Sequence, residues 1–223
     1  MRTPTMPEEH IQVPLSDGRS ITAIRTPAED PPSGWHFVYA PGAGSNVNDP
    51  FGAYLCRQLA AKGIGAVRFQ FEYMEARKRR PDSPRVLEET WRRVIDAVRS
   101  PGLKLAVGGR SMGGRIASRV VAKDVAVDGL ALFAYPLRPP GRPSEPRIEH
   151  LPDIATRTLF CSGTRDTFGT PDELIDAASL VPDSSVHILE GADHGFGTLK
   201  SSDRTREDVW EEATAAFLEW LGA

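Results

Sequence analysis

Cysteine is scarce in this 223-residue chain. It occurs only at Cys56 and Cys161, too few for a disulfide scaffold or a cysteine-based zinc site. No stretch approaches the roughly 20 apolar residues that a membrane helix requires. The opening peptide Met1-Arg2-Thr3-Pro4-Thr5-Met6-Pro7-Glu8-Glu9-His10 has no apolar segment that would serve as a secretion signal. Charge of one sign is also lacking: 27 Lys+Arg against 30 Asp+Glu leave a net −3, which gives nucleic acid or an anionic membrane no electrostatic claim as main partner. With 40% hydrophobic and 26% charged residues, the chain reads as an ordered globular protein. Its length suits one domain over residues 1–223, and the expected setting is a reducing cytoplasm.

From Trp35 onward, short apolar runs alternate with amphipathic stretches. The runs cover 36–40, 64–69, 103–107, 130–134, 158–161 and 186–189; each is rich in β-branched or aromatic residues and closed by Gly, Pro or Asp. Their near-continuous apolarity predicts strands covered on both faces, as in a parallel sheet. The stretches between them carry helix signals. Asp49-Pro50 is an N-cap with proline at the first helical position, and Ser83-Pro84 opens a helix with Leu87, Trp91, Val94, Ile95 and Val98 on one face. Thr170-Pro171-Asp172-Glu173 is a capping box, and Val209, Ala213, Ala216, Phe217 and Trp220 form the inner stripe of a closing helix. Upstream, 11–15 and 20–24 flank Ser16-Asp17-Gly18-Arg19 as an antiparallel hairpin. The proline-dense stretch from Pro136 to Pro152 reads as a loop, too short for a lid. The prediction is a layered α/β fold with right-handed crossovers.

Gly108-Gly109-Arg110-Ser111-Met112-Gly113-Gly114 follows a predicted strand and precedes a helix-compatible segment at 115–121. Gly-x-Ser-x-Gly in that setting is the nucleophile-elbow pattern. It holds the serine in strained geometry, and Gly109 and Gly113 leave room where side chains would collide. The rival reading is a glycine-rich turn whose serine caps the helix. A serine nucleophile needs an oriented base. Here Asp166 follows the strand at 158–161 and His194 follows the strand at 186–189, giving the order Ser111, Asp166, His194. Asp166 could instead cap the next helix, but Thr170 already fills that role. Asp193 adjoins His194 on an extended segment, where neighbouring side chains diverge, and reads as structural. His36, His150 and His187 read as packing or surface residues, as do Cys56 and Cys161 as buried packing residues.

Acyl transfer also needs donors for the tetrahedral oxyanion. The amide of Met112 is one. The second is assigned to Ala43, within Pro41-Gly42-Ala43-Gly44-Ser45, where the flanking Gly42 and Gly44 let the backbone approach a ligand closely. A phosphate-cradling loop is excluded on detail, since neither glycine cluster contains Gly-Lys-Ser/Thr.

Three segments, Arg68-Phe69-Gln70-Phe71-Glu72-Tyr73-Met74, the elbow through Arg115, and Gly163-Thr164-Arg165-Asp166, resemble the α/β-hydrolase superfamily. They are most similar to its small lidless branch of testis-expressed protein 30 and bacterial dienelactone-hydrolase-like proteins. Glu72 and Thr167 stand where that branch carries proline. The resemblance implies an α/β-hydrolase fold with a mostly parallel central sheet, an N-terminal antiparallel hairpin, helices on both faces and no cap domain. It implies a triad of Ser111, Asp166 and His194 with no metal or organic cofactor, and a small-molecule ester or thioester substrate. True dienelactone hydrolases use cysteine as nucleophile, so Ser111 departs from that activity. One relative serves in a chromatin-modifying complex, so a non-catalytic scaffold and an acyltransferase are the alternative readings.

Arg110, Arg115 and the run Arg77-Lys78-Arg79-Arg80 belong to the carboxyl-end side of the sheet, where ligands bind. They could attract an anionic acyl group. Alternatively the run is a solvated loop balanced by Glu72, Glu75 and Asp82, and Arg110 pairs with a carboxylate that holds the elbow.

Overall fold

The computed structural model describes residues 7–123, 125–139 and 144–222. Residues 1–6 of the opening peptide and 140–143 of the proline-dense loop lie outside the described residues. Every apolar run becomes a strand. β1 (Glu9–Pro14) and β2 (Ser20–Thr26) form the hairpin, followed by β3 (Trp35–Ala40), β4 (Gly65–Phe69), β5 (Lys104–Arg110), β6 (Gly129–Phe133), β7 (Thr158–Arg165) and β8 (Ser184–Asp193). They form one eight-stranded sheet in the order β1-β2-β4-β3-β5-β6-β7-β8. β1–β2 and β2–β4 pair antiparallel, and the other pairs are parallel.

The period-2 geometry of a strand splits each apolar run between two cores. From β3, Val38 and Ala40 enter the core that covers Val67, Phe69, Val107 and Trp91, while Phe37 and Tyr39 enter the opposite one with Phe51, Phe133 and Phe217. The first core is closed by α3 (Pro84–Val98), α4 (Met112–Val121) and α5 (Pro171–Ala178), the second by α1 (Pro50–Ala60) and α6 (Arg206–Leu221). Each of α3's predicted inner residues, Leu87, Trp91, Val94, Ile95 and Val98, is buried. Burying a side chain of that size contributes roughly 1.5–3 kcal/mol. Trp91 also donates Nε1–H to the Gly113 carbonyl at 3.1 Å, tying α3 to the elbow helix.

The caps behave as read, with one exception. The Asp49 carboxylate accepts the Gly52 amide, and Thr170 and Glu173 complete their capping box. Ser83 makes no side-chain capping bond, so the start of α3 rests on Pro84. A short helix, α2 (Glu72–Glu75), was not foreseen. Its first residue, Glu72, turns its carboxylate to Arg19 of the hairpin loop at 2.5 Å. The described residues between β6 and β7 hold only a single 3₁₀ turn, Leu151–Asp153, and no cap.

Candidate active site

β5 lies between β3 and β6, with Gly109 opposite Ala40 and Arg110 opposite Phe133. Ser111 follows directly, at φ 53° and ψ −120°, and α4 starts at Met112. Its amide donates to the Phe133 carbonyl at 2.8 Å, so the turn is pinned while its backbone sits in the left-handed region. The elbow glycines are needed for space. A Cβ on Gly109 would lie 2.1 Å, and one on Gly113 2.2 Å, from the Ala40 carbonyl oxygen at the end of β3.

The parallel strands end on one edge, which brings the loops after β5, β7 and β8 together. Asp166 is the first residue after β7, and His194 the first after β8. At this point the β7–β8 register slips: the step from Gly163 to Arg165 faces the step from Leu189 to Asp193. That bulge re-aims the end of β8 toward the elbow. His194 Nδ1 lies 2.9 and 2.8 Å from the two Asp166 carboxylate oxygens, and Nε2 lies 2.9 Å from Ser111 Oγ. Since a carboxylate only accepts, Nδ1 carries the proton and Nε2 presents a lone pair to the serine hydroxyl.

Asp166 is buried at 6% exposure and held by two further donors, Ser162 Oγ at 2.9 Å and the Phe168 amide at 2.8 Å. The Phe168 ring stacks on the imidazole with centroids 3.8 Å apart. The sequence reading missed both Ser162 and Phe168. Asp193 takes the structural role expected of it, with Oδ1 accepting the Gly195 and Gly197 amides at 2.8 Å and folding the loop behind His194. Buried Phe196 anchors the same loop edge-on against Phe51.

The loop after β3 supplies the second wall. Ser45 N–H closes a turn on the Gly42 carbonyl at 3.2 Å, and Gly44, at φ +79°, takes the position where such a turn favours glycine. Gly42 approaches closely enough that an added Cβ would lie 3.3 Å from Ser111 Cβ. Among the described residues neither the Ala43 amide nor that of Met112, the first helical residue, donates to a protein acceptor. Arg68 Nε donates to the Val47 carbonyl at 2.9 Å, and the Val47 amide donates to Gln70 at 3.2 Å, so both side chains clamp the loop. Their only signal in the sequence was membership of a family-like segment.

Arg110 does not reach outward. Its Nη2 is 2.7 Å from Asp49 Oδ1, and Nη1 donates to the Gly195 carbonyl at 3.3 Å. Of the two readings left open for it, pairing with a carboxylate is the one realised. Arg115, one turn along α4, is half-buried, and burial followed by the Arg147 charge lowers its pKa. His187 pairs with Glu212 of α6 at 2.9 Å, and His150 contacts Ser118 at 2.8 Å, both away from the triad geometry. Cys56 and Cys161 are buried free thiols, and burial pushes that of Cys56 up to about 12. No group of three or more His, Cys, Asp or Glu that could hold a metal ion is found among the described residues. None of their helices is long and apolar enough to cross a membrane. A cavity of about 350 Å³ near Trp35, His36, Gly65 and Leu103 lies at the starts of β3, β4 and β5, the opposite edge from Ser111.

A strand–serine–helix elbow on a parallel sheet, with a histidine and an acid from later strand ends, is the layout of the α/β hydrolases. The sequence matches the alpha/beta hydrolase domain over residues 34–222, and the chain belongs to that family. No curated protein matches it. Among solved structures it is similar to an alpha-beta serine hydrolase homologue from Coxiella burnetii, with TM-score 0.78, 17% identity and coverage of 98% of this chain and 100% of that one. It is also similar to a serine hydrolase without a lid from Xanthomonas campestris, with TM-score 0.73, 19% identity and 99% coverage of both chains. A dienelactone hydrolase from Anabaena variabilis aligns with TM-score 0.73 and 18% identity over 96% of this chain and 97% of that one.

Proposed function

We propose that this protein is a serine hydrolase that cleaves carboxylic esters or thioesters of small, accessible acyl groups through an acyl-enzyme. In this reading residues 1–223 act as one α/β-hydrolase domain. Ser111 Oγ attacks the acyl carbonyl while His194 Nε2 takes its proton. Asp166 holds the Nδ1–H tautomer and stabilises the imidazolium that forms. The Ala43 and Met112 amides donate to the developing oxyanion. The tetrahedral intermediate collapses as His194 protonates the departing alcohol or thiol. The same histidine then deprotonates a water molecule that releases the acid and regenerates Ser111.

The observation that carries this reading is the 2.9 Å contact between His194 Nε2 and the hydroxyl of a serine held at φ 53°. Strain at such a position persists only when the surrounding structure maintains it, and it is common at reactive residues. The serine hydrolase and dienelactone hydrolase neighbours support the same class of chemistry. The buried free thiols suit the cytoplasmic setting we propose.

A fluorophosphonate probe tests the proposal. Covalent labelling of the wild type, lost in Ser111→Ala, is expected; a folded wild type that does not label would favour a scaffold. A panel of p-nitrophenyl esters and thioesters, with and without added alcohol or amine acceptors, separates hydrolysis from acyl transfer.

A further inference from the structure

A cleft of about 380 Å³ opens against the 42–45 turn, with Gly44 and Ser45 on one wall and Tyr73, Arg77, Lys78 and Arg79 on the other. The turn that carries the Ala43 amide therefore separates this cleft from Ser111. Arg77, Lys78, Arg79 and Arg80 are exposed, and none of these side chains makes a hydrogen bond or ion pair among the described residues. The carboxylates that would balance them as a solvated loop are largely committed elsewhere. Glu72 pairs with Arg19 at 2.5 Å, and Glu75 accepts the Thr22 amide. Of the three, Asp82 remains; burial first, and the Asp82 charge to a lesser degree, raise the Tyr73 pKa.

Two further features point to a ligand. The Tyr73 side chain is buried at 2% exposure; the Gly44 backbone N–H is directed at its oxygen, but its own O–H meets no acceptor. A buried donor left without an acceptor is costly, and a bound acceptor would relieve it. Arg77 ends α2 with φ 53°. Its amide donates to the Met74 carbonyl, and the Lys78 amide donates to that of Tyr73 at 2.8 Å, the paired closure that normally takes glycine at the left-handed position. An arginine there is held in a strained backbone conformation and keeps a charge at the cleft wall.

We infer that this cleft seats a phosphate group carried by the substrate, so that the ester or thioester presented to Ser111 belongs to a phosphorylated molecule. One guanidinium suffices for a carboxylate, whereas a phosphate dianion with several acceptor oxygens matches adjacent arginine forks, a lysine ammonium and a phenolic donor. The inference rests on the proposed hydrolase reading for what lies beyond the turn, but its primary test reads binding alone.

Titration calorimetry on the full-length Ser111→Ala protein uses two matched pairs, acetyl-CoA with acetyl-pantetheine and 1-acetylglycerol 3-phosphate with 1-acetylglycerol. The phosphorylated member of at least one pair is expected to bind about 10-fold or more tightly than its neutral partner. That gain should shrink as salt rises from about 50 to about 500 mM and vanish in Arg77→Gln/Lys78→Gln/Arg79→Gln. Arg79→Glu, a single exposed change, should weaken it in the same direction. A gain confined to the CoA pair assigns phosphate at the end of a long arm, and one in the glycerol pair assigns phosphate close to the ester. Equal or undetectable binding within both pairs, or a gain that survives the triple change, overturns the inference. Absent fluorophosphonate labelling of the wild type would strike the hydrolase reading instead and leave this binding result standing.

Discussion

Arg110 and Asp49, 61 residues apart in the chain, meet with Nη2 2.7 Å from Oδ1, and the carboxylate they share is buried to 1% exposure. Asp49 also accepts the Tyr39 hydroxyl at 2.7 Å, the Ser45 hydroxyl at 3.0 Å and the Gly52 amide at 2.9 Å. Burial, then the Asp49 charge, holds the Tyr39 pKa well above its ordinary value, which keeps that hydroxyl a donor. One carboxylate thus joins β3, the 42–45 turn, the start of α1 and the elbow. Arg110 carries the connection on to the Gly195 carbonyl, next to His194.

We propose that Arg110, its charge neutralised in this network, acts as a positioning residue. Arg110→Ala should lower kcat/KM for neutral and anionic esters by the same factor, on the order of 10- to 100-fold through misalignment. Stability should fall by about 3 kcal/mol, the low end for breaking a buried pair, because three donors remain on Asp49. Paired kinetics on charged and uncharged esters of one acyl group check this. A loss confined to anionic substrates would restore the substrate-binding role.

Asp166→Asn keeps the size of the side chain but offers an amide N–H among three donors. The imidazole should turn over its tautomer and present N–H to Ser111. The expected consequence is a fall in kcat on the order of 10⁴-fold with the fold intact, read from steady-state rates beside circular dichroism. Near-wild-type turnover would remove Asp166 from the mechanism.

Gly113→Ala places a Cβ 2.2 Å from the Ala40 carbonyl oxygen and 2.6 Å from that of Pro41, both backbone atoms with little freedom to retreat. A loss of about 1–3 kcal/mol or more is expected. Activity should drop too, since the same backbone leads into the 42–45 turn. Urea unfolding midpoints measure the first effect.

His150 gives stability a pH dependence separate from catalysis. The Ser118 hydroxyl donates to the Arg115 carbonyl at 2.8 Å, so His150 Nε2–H donates to Ser118 Oγ, leaving Nδ1 buried and unpartnered. Burial lowers this pKa from 6.5 to about 4. The unfolded chain therefore binds more protons between those values, and stability falls as pH drops from about 6.5 toward 4. The loss is bounded at about 3 kcal/mol and is reduced by solvent screening at the part of the ring that stays exposed. His36, whose pKa is lowered by burial and then by Arg25, adds in the same direction. His150→Gln should flatten the slope of unfolding free energy against pH in that window. An unchanged slope would show that the ring is not buried neutral.

Much of the fold was legible because its signals are local. Residues 103–107 are apolar and end at glycine, Thr170 and Glu173 stand at capping distance, and Leu87 to Val98 repeat at helical spacing. α2 escaped notice because four residues carry no periodicity. Ser111, Asp166 and His194 were legible from their order and their places after strands. Ser162 and Phe168 were not, since donating a hydroxyl to Asp166 or stacking a ring on His194 leaves no pattern along the chain.

The sequence by itself determined the order of the strands along the chain, the strained elbow that Gly-x-Ser-x-Gly demands and the loops in which Asp166 and His194 reside, since each depends on neighbours within a few positions. Tertiary structure alone decided which charges meet. Arg110 went to Asp49 and Glu72 to Arg19, while Arg77, Lys78 and Arg79 were left facing an open cleft. Ion pairing follows distance in space and the competition among all nearby donors, and neither is set until the sheet has brought its loops to one edge.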